Sequence, residues 1–184
     1  MDVIPNEEEQ MVKNLAREFL EAECPPSLAR NMEKDDLGYP PELWKKMADL
    51  GWLGMALPEE YGGQGLSLTY LGLIMEEIGR SIAPVPALST VVPAMTIARH
   101  GNQKQRQNTL PRISQGDLVL TWAFQEIDPR LLPENIHLDA ITQGDSFILT
   151  GTKMFVDNFV CAEKALVAAR TAPASSKHHG ISLF

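Results

Sequence analysis

The side chains able to do chemistry in this sequence are few, and the informative ones fall in two short runs. The first is Trp122-Ala-Phe124-Gln125-Glu126; the second is Gly151-Thr-Lys153-Met-Phe155-Val156-Asp157-Asn158. Trp122, Phe124 and Phe155 bring flat aromatic faces, although Phe155 can stack without offering an indole N–H. Gln125 adds an amide that both donates and accepts, and Asp157 a carboxylate that only accepts when ionised. The competing reading makes Trp122 and Phe124 ordinary core aromatics. Other chemistries find little here. Gly62-Gly63-Gln64-Gly65 is not GxGxxG and follows no strand, so it is no phosphate cradle. His100 sits where a helix ends, a position that favours imidazolium as a surface cap. His178-His179 has no Asp, Glu or Cys at ligand spacing, and no G-x-S-x-G elbow exists. Glu7-Glu8-Glu9 and Glu59-Glu60 read as helix cap and loop surface. No residue is assigned as catalytic and none as a metal ligand.

Elements of two kinds must position those runs. Asn6 with Glu9 forms a capping box, and Met11, Val12, Leu15, Ala16, Phe19 and Leu20 recur at helical spacing as one apolar stripe. Pro25-Pro26 stops that helix, and Ser27 caps a short second one running toward Lys34. Pro40-Pro41 opens a third, with Leu43, Trp44, Met47 and Leu50 buried and Gly51 as its left-handed stop. A glycine-rich loop from Leu50 to Leu66 follows, anchored by Trp52, Leu53, Met55, Leu57 and Tyr61. Ser67 caps a fourth helix, Leu68 to Ile82, apolar almost all round and therefore central. The fifth, Ala87–His100, starts or kinks near Pro93. Asn102 caps the sixth, Gln103–Leu110.

Beyond Asp117 the pattern turns to β. Strands are predicted at Leu118–Phe124, Leu138–Thr142, Ser146–Thr150 after a Gly144-Asp145 turn, Lys153–Val160 and Ala165–Ala169. Thr171–Lys177 reads as a polar loop. Gly180–Phe184 reads as a strand beginning, with nothing to close it.

With 184 residues, 44% hydrophobic and 22% charged, the chain has an ordinary globular composition. Its net charge of -8 excludes a basic field for nucleic acid. The longest apolar stretch, Leu66–Met75, is too short to cross a bilayer. Cys24 and Cys161 belong to no CxxC pair and read as reduced thiols. No basic, apolar leader opens the chain, so a cytoplasmic location is expected.

The central loop, L-G-W-L-G-M-A-L-P-E-E-Y-G-G-Q-G-L over residues 50–66, resembles the first signature of acyl-CoA dehydrogenases. A second match runs from Gly116 to Glu126 and a third from Gly151 to Asn158, in the family's order. The resemblance implies an α+β chain: an N-terminal all-α helical bundle over residues 1–115, then an incomplete antiparallel β-barrel or sandwich domain over residues 116–184. By the same resemblance, the family's C-terminal helical domain is expected to be absent from this sequence. It further implies an FAD-dependent acyl-CoA dehydrogenase, which desaturates an acyl-CoA thioester between its α and β carbons. In that reaction a carboxylate takes the α proton and flavin receives the β hydride; the base usually lies in the absent domain. Implied cofactor contacts are Trp122, Phe124, Gln125, Phe155 and Asp157. Implied partners are the acyl-CoA substrate, an electron-transfer flavoprotein, and further subunits in a homo- or hetero-oligomer, a tetramer or dimer.

The sequence departs from the family at informative places. Gln125 replaces a hydroxyl residue, Ile127-Asp128-Pro-Arg130 replaces the path to a Gly-Ser-Asp turn, Phe155 replaces tryptophan, and Asp157 replaces Ser or Thr. A carboxylate about 4 Å from a reduced, anionic flavin costs roughly 4 kcal/mol at an effective dielectric near 20. For two electrons that lowers the potential by about 90 mV. A second reading follows: a flavin-free subunit that scaffolds an active homologous partner. A third is a helical interaction module over residues 1–115.

Overall fold

The computed structural model describes residues 5–172 and 180–184. They form two compact units, one ending at Val119 and one beginning at Leu120. His178-His179, and the polar loop from residue 173 to Lys177, lie outside the described residues.

Helices α1 (Glu7–Glu23), α2 (Pro26–Met32), α3 (Pro41–Asp49), α4 (Leu68–Arg80), α5 (Ala87–His100) and α6 (Gln103–Ser114) build the first unit. The capping box of α1 is present, with Glu9 N–H donating to Asn6 and Asn6 N–H donating to Glu9, both at 2.9 Å. The apolar stripe is narrower than its pattern: Ala16 and Leu20 are buried, while Met11 and Leu15 face water. Pro26, not Ser27, opens α2, and no side chain caps it. Gly51 ends α3 at φ +77, where Trp52 N–H reaches back to the Met47 carbonyl at 3.1 Å. Leu50 then turns outward instead of joining the buried face. Ser67 makes no side-chain cap bond, and α4 buries one face, through Leu71, Leu73, Ile74 and Ile78. Pro93 lies inside a continuous α5.

Helix α6 carries on past Pro111 to Ser114, beyond the predicted end at Leu110. Leu110 and Ile113 are fully buried, and their packing outweighs the backbone bond that proline forfeits. At its start, Gln105 N–H donates to Asn102 at 2.9 Å and Asn102 N–H donates to Gln105 at 2.8 Å. Asn102→Ala is expected to lower stability by about 1 kcal/mol. A denaturation midpoint shifted at unchanged slope would show it; an unmoved midpoint would mean the cap is idle.

The central loop holds its shape by its own backbone. Gln64 N–H donates to Gly54 O at 3.0 Å, Gly65 N–H to Leu57 O at 2.9 Å, and Leu66 N–H to Met55 O at 2.9 Å. Trp52, Leu53, Met55 and Leu57 are buried as its anchors, and Tyr61 is half-buried.

Glu77 of α4 is 0% exposed, a placement its position after Glu76 did not announce. Arg17 of α1 grips it with two bonds, at 2.8 and 3.2 Å, and Arg80 adds a third. Arg80 also reaches Glu21 at 2.9 Å. The Arg17 guanidinium, opposed by burial and aided by Arg80, holds the Glu77 carboxyl at about 2. Thus α1 and α4 are joined by charge as well as by apolar packing.

The second unit contains β1 (Leu120–Ala123), β2 (Asp139–Gln143), β3 (Ser146–Thr150), β4 (Lys164–Arg170) and β5 (Ile181–Leu183). The sheet is mixed and open, in the order β1-β4-β2-β3, with β5 on β4. The β2–β3 hairpin and the β4–β5 pair are antiparallel as expected. Pairing of β4 with β1 and β2 is parallel. The reason is the long excursion between β1 and β4, which carries the chain back to start at the same end; a tight turn would have reversed it. Lys153–Val160 is not a strand. Phe155 and Asn158 take φ of +51 and +54, which breaks any extended run.

Candidate functional site

Side chains alternate across a strand, and this sorts the second unit into two faces. Ala123, Ala165 and Val167 line a concavity of about 520 Å³ with Leu138 and Leu149. Trp122 and Phe124, on either side of Ala123, lie on the opposite face. Their ring centroids are 6.3 Å apart with planes at 37°, a spacing typical of aromatic pairs. Trp122 keeps 44% of its surface in water, so it is not a core aromatic.

Phe155 is 79% exposed, the least expected environment for a phenyl ring. Its left-handed backbone carries a strain of order 1–3 kcal/mol for a residue with a side chain. Bonds on both sides hold it there. Met154 N–H donates to the Gln125 carbonyl at 2.8 Å, and the Thr121 hydroxyl donates to the Asp157 carbonyl at 2.5 Å. The two runs singled out in the sequence are therefore brought together, by the main-chain bond from Met154 to Gln125 and by the Thr121 side chain that precedes the first run. Among the described residues, neither the Gln125 amide nor the Asp157 carboxylate is engaged by another side chain.

Beneath this seam lies a buried ion pair. Lys153 Nζ donates to Glu126 Oε1 at 2.8 Å and to the Phe124 carbonyl at 3.1 Å. Glu126 also accepts the N–H groups of His137 and Leu138, each at 2.9 Å. Burial raises the Glu126 carboxyl, but Lys153 and the two N–H donors outweigh it and leave the group below its ordinary range. Sequence reasoning gave Lys153 no role; its one signal was its match to the lysine of the third motif, Gly151-Thr-Lys153. Thr121 carried no signal.

Where the family turn is missing, Arg130 forks onto Asp128 at 3.0 and 2.6 Å. Those bonds from Arg130 hold the Asp128 carboxyl at about 2. Arg170 donates to the carbonyls of Ile136 and Pro133 at 3.0 and 2.9 Å, pinning the loop that follows. Ile127 and Leu131 are left exposed.

Exposed aromatic faces beside an unengaged amide suit a flat heteroaromatic ring with polar edges, and flavin is such a ring. The model of the acyl-CoA dehydrogenase N-terminal domain matches residues 6–117. The chain belongs to the acyl-CoA dehydrogenase family. An acyl-CoA dehydrogenase of Bacillus subtilis is 32% identical over 181 residues, which is 97% of this chain and 47% of that protein. The ChsE4–ChsE5 complex of Mycobacterium tuberculosis superposes with a TM-score of 0.85 at 30% identity, over 100% of this chain and 48% of the matched one. A glutaryl-CoA dehydrogenase of Mycobacterium smegmatis in complex with FADH2 gives 0.81 at 28% identity, over 98% and 45%. The chain thus spans about half the length of the acyl-CoA dehydrogenases it matches. Among its described residues, no helix is long and apolar enough to cross a membrane.

Proposed function

We propose that the chain supplies the helical N-terminal part and one flavin-facing wall of an FAD-dependent acyl-CoA dehydrogenase. The observation that carries this reading is the aromatic set of exposed Trp122, half-buried Phe124 and exposed Phe155, held on two segments that hydrogen-bond to each other. Trp122 and Phe155 offer stacking area, and Gln125 an amide for a polar ring edge. FAD, when bound, supplies the acceptor for two electrons. The chain's own residues stack, orient and exclude water, and none of them is assigned as the proton acceptor. An acyl-CoA, an electron-transfer flavoprotein and further subunits are the partners this function needs.

Anaerobic mixing of the protein with acyl-CoA tests it. Bleaching of the flavin absorbance with release of an enoyl-CoA is expected where a proton acceptor is also supplied, and a protein that binds no FAD at all would overturn the reading. Phe155→Ala is expected to weaken FAD binding by about tenfold, a typical value for one lost stacking contact of 1–3 kcal/mol. Equilibrium dialysis against FAD measures it, and unchanged affinity would remove Phe155 from the site.

One observation favours a second reading, a flavin-free subunit scaffolding a homologous active partner. Asp157 puts an exposed carboxylate two residues from Phe155, on the segment that Thr121 ties down through the Asp157 carbonyl. The ChsE4–ChsE5 complex, assembled from two named components, is a precedent for a pair. Failure to take up FAD, together with co-purification of a flavin-bearing homologue, would establish it.

A further inference from the structure

We infer that Lys153 and Glu126 form a positioning pair, whose task is to hold the two aromatic-bearing segments in the spacing that a ring ligand needs. The inference rests on the proposed flavin function and names residues which that function does not use directly. Lys153 and Glu126 side chains are only 5% and 11% exposed. One ammonium bonds both the Phe124 carbonyl, at 3.1 Å, and Glu126, at 2.8 Å. Lys153 immediately precedes Met154, whose N–H bonds Gln125, and lies two residues before Phe155. Glu126 in turn ties the chain to the start of β2 through His137 and Leu138. Three segments therefore meet at one ion pair: the end of β1, the approach to β2, and the left-handed turn at Phe155. Neither charged group reaches the aromatic face. They act through Phe124, Gln125 and Phe155, which do.

Buried charge is a poor way to gain stability, because desolvation offsets most of the attraction. Its use here is directional. The ammonium has donors for two fixed acceptors, and the carboxylate has acceptors for three fixed donors, so the segments have one satisfied arrangement.

The test uses the intact protein and compares wild type, Lys153→Met, Lys153→Arg and Phe155→Ala, with the Lys153→Met/Phe155→Ala double variant. Lys153→Met is expected to weaken FAD binding by roughly ten- to a hundredfold, the usual effect of removing a group that orients direct ligands. Lys153→Arg, which keeps a cation on a long stem, should recover most of it. In the double variant, Phe155→Ala should add little, since Phe155 is already misplaced. Hydrogen exchange at the Met154 amide, read without FAD, should speed up in Lys153→Met and return in Lys153→Arg. Additive losses in the double variant, or a Met154 amide as protected in Lys153→Met as in wild type, would overturn the inference. If wild type takes up no FAD, the flavin function fails, and the positioning role is then decided by Met154 exchange alone. If Lys153→Met does not fold, Glu126→Gln, which keeps the shape and removes the charge that Lys153 bonds, decides it: weaker FAD binding with faster Met154 exchange supports the pair, and wild-type values of both overturn it.

Discussion

Glu77→Gln will lower the stability of the helical unit by about 3 kcal/mol, the low end for breaking a buried ion pair. The low end applies because Arg17 and Arg80 are 43% and 40% exposed and can rehydrate once abandoned. Glutamine matches the shape of Glu77, so the loss isolates the charge and leaves no cavity. The same group sets a pH window. Folding depresses the Glu77 carboxyl from an ordinary 4.5 to about 2, so its contribution is complete above 4.5. It then drains away as pH falls from 4.5 toward 2, since the unfolded chain takes up the proton first. Urea unfolding of both proteins at neutral pH and again near the bottom of that window checks both statements. The gap between them should be wide at neutral pH and should narrow with acid. A Glu77→Gln protein equal to wild type at neutral pH would show that the two arginines contribute nothing.

The second large effect belongs to the central loop. A Cβ on Gly63 would sit 2.1 Å from the Leu57 carbonyl oxygen and 2.8 Å from that of Gly54. Both carbonyls are occupied, accepting Gly65 N–H at 2.9 Å and Gln64 N–H at 3.0 Å, so neither can retreat without breaking the loop. Gly63→Ala is therefore expected to cost about 3 kcal/mol, the upper end for overpacking. Gly72 in α4 is the control, with nothing within 4 Å of its added methyl. Gly72→Ala should gain about 0.5–1 kcal/mol through helix propensity alone. Thermal melts of the two variants should move in opposite directions. A Gly63→Ala protein that melts with wild type would mean the loop is looser than its hydrogen bonds indicate.

Much of this architecture was legible because local chemistry wrote it. Asn6 with Glu9, Asn102 and Gly51 marked helix ends, and each does so in the structure. Gly144-Asp145 marked the hairpin, which runs from Asp139 to Thr150. Misreadings arose where tertiary packing overrode a local signal. Pro111 failed to end α6 because Leu110 and Ile113 needed the core. Ser27 and Ser67 look like caps, yet the chain enters both helices without them. Lys153–Val160 has a strand's composition, but its backbone turns left-handed twice, and no propensity reports that. At the candidate site the aromatics were legible and their supports were not. Trp122 and Phe155 stood out by type, whereas the Glu126–Lys153 pair joins residues 27 apart in sequence. Glu77 was hidden for the same reason, its principal partner Arg17 lying 60 residues away.

The central claim is that exposed Trp122 and Phe155, with half-buried Phe124 between them in the set, are one wall of a flavin site. The visible absorbance spectrum of the protein, purified from the cells that make it, tests this most directly. The account predicts a yellow protein whose flavin bands persist through dialysis and whose released chromophore is FAD. A colourless protein that gains no flavin bands when FAD is added would contradict it.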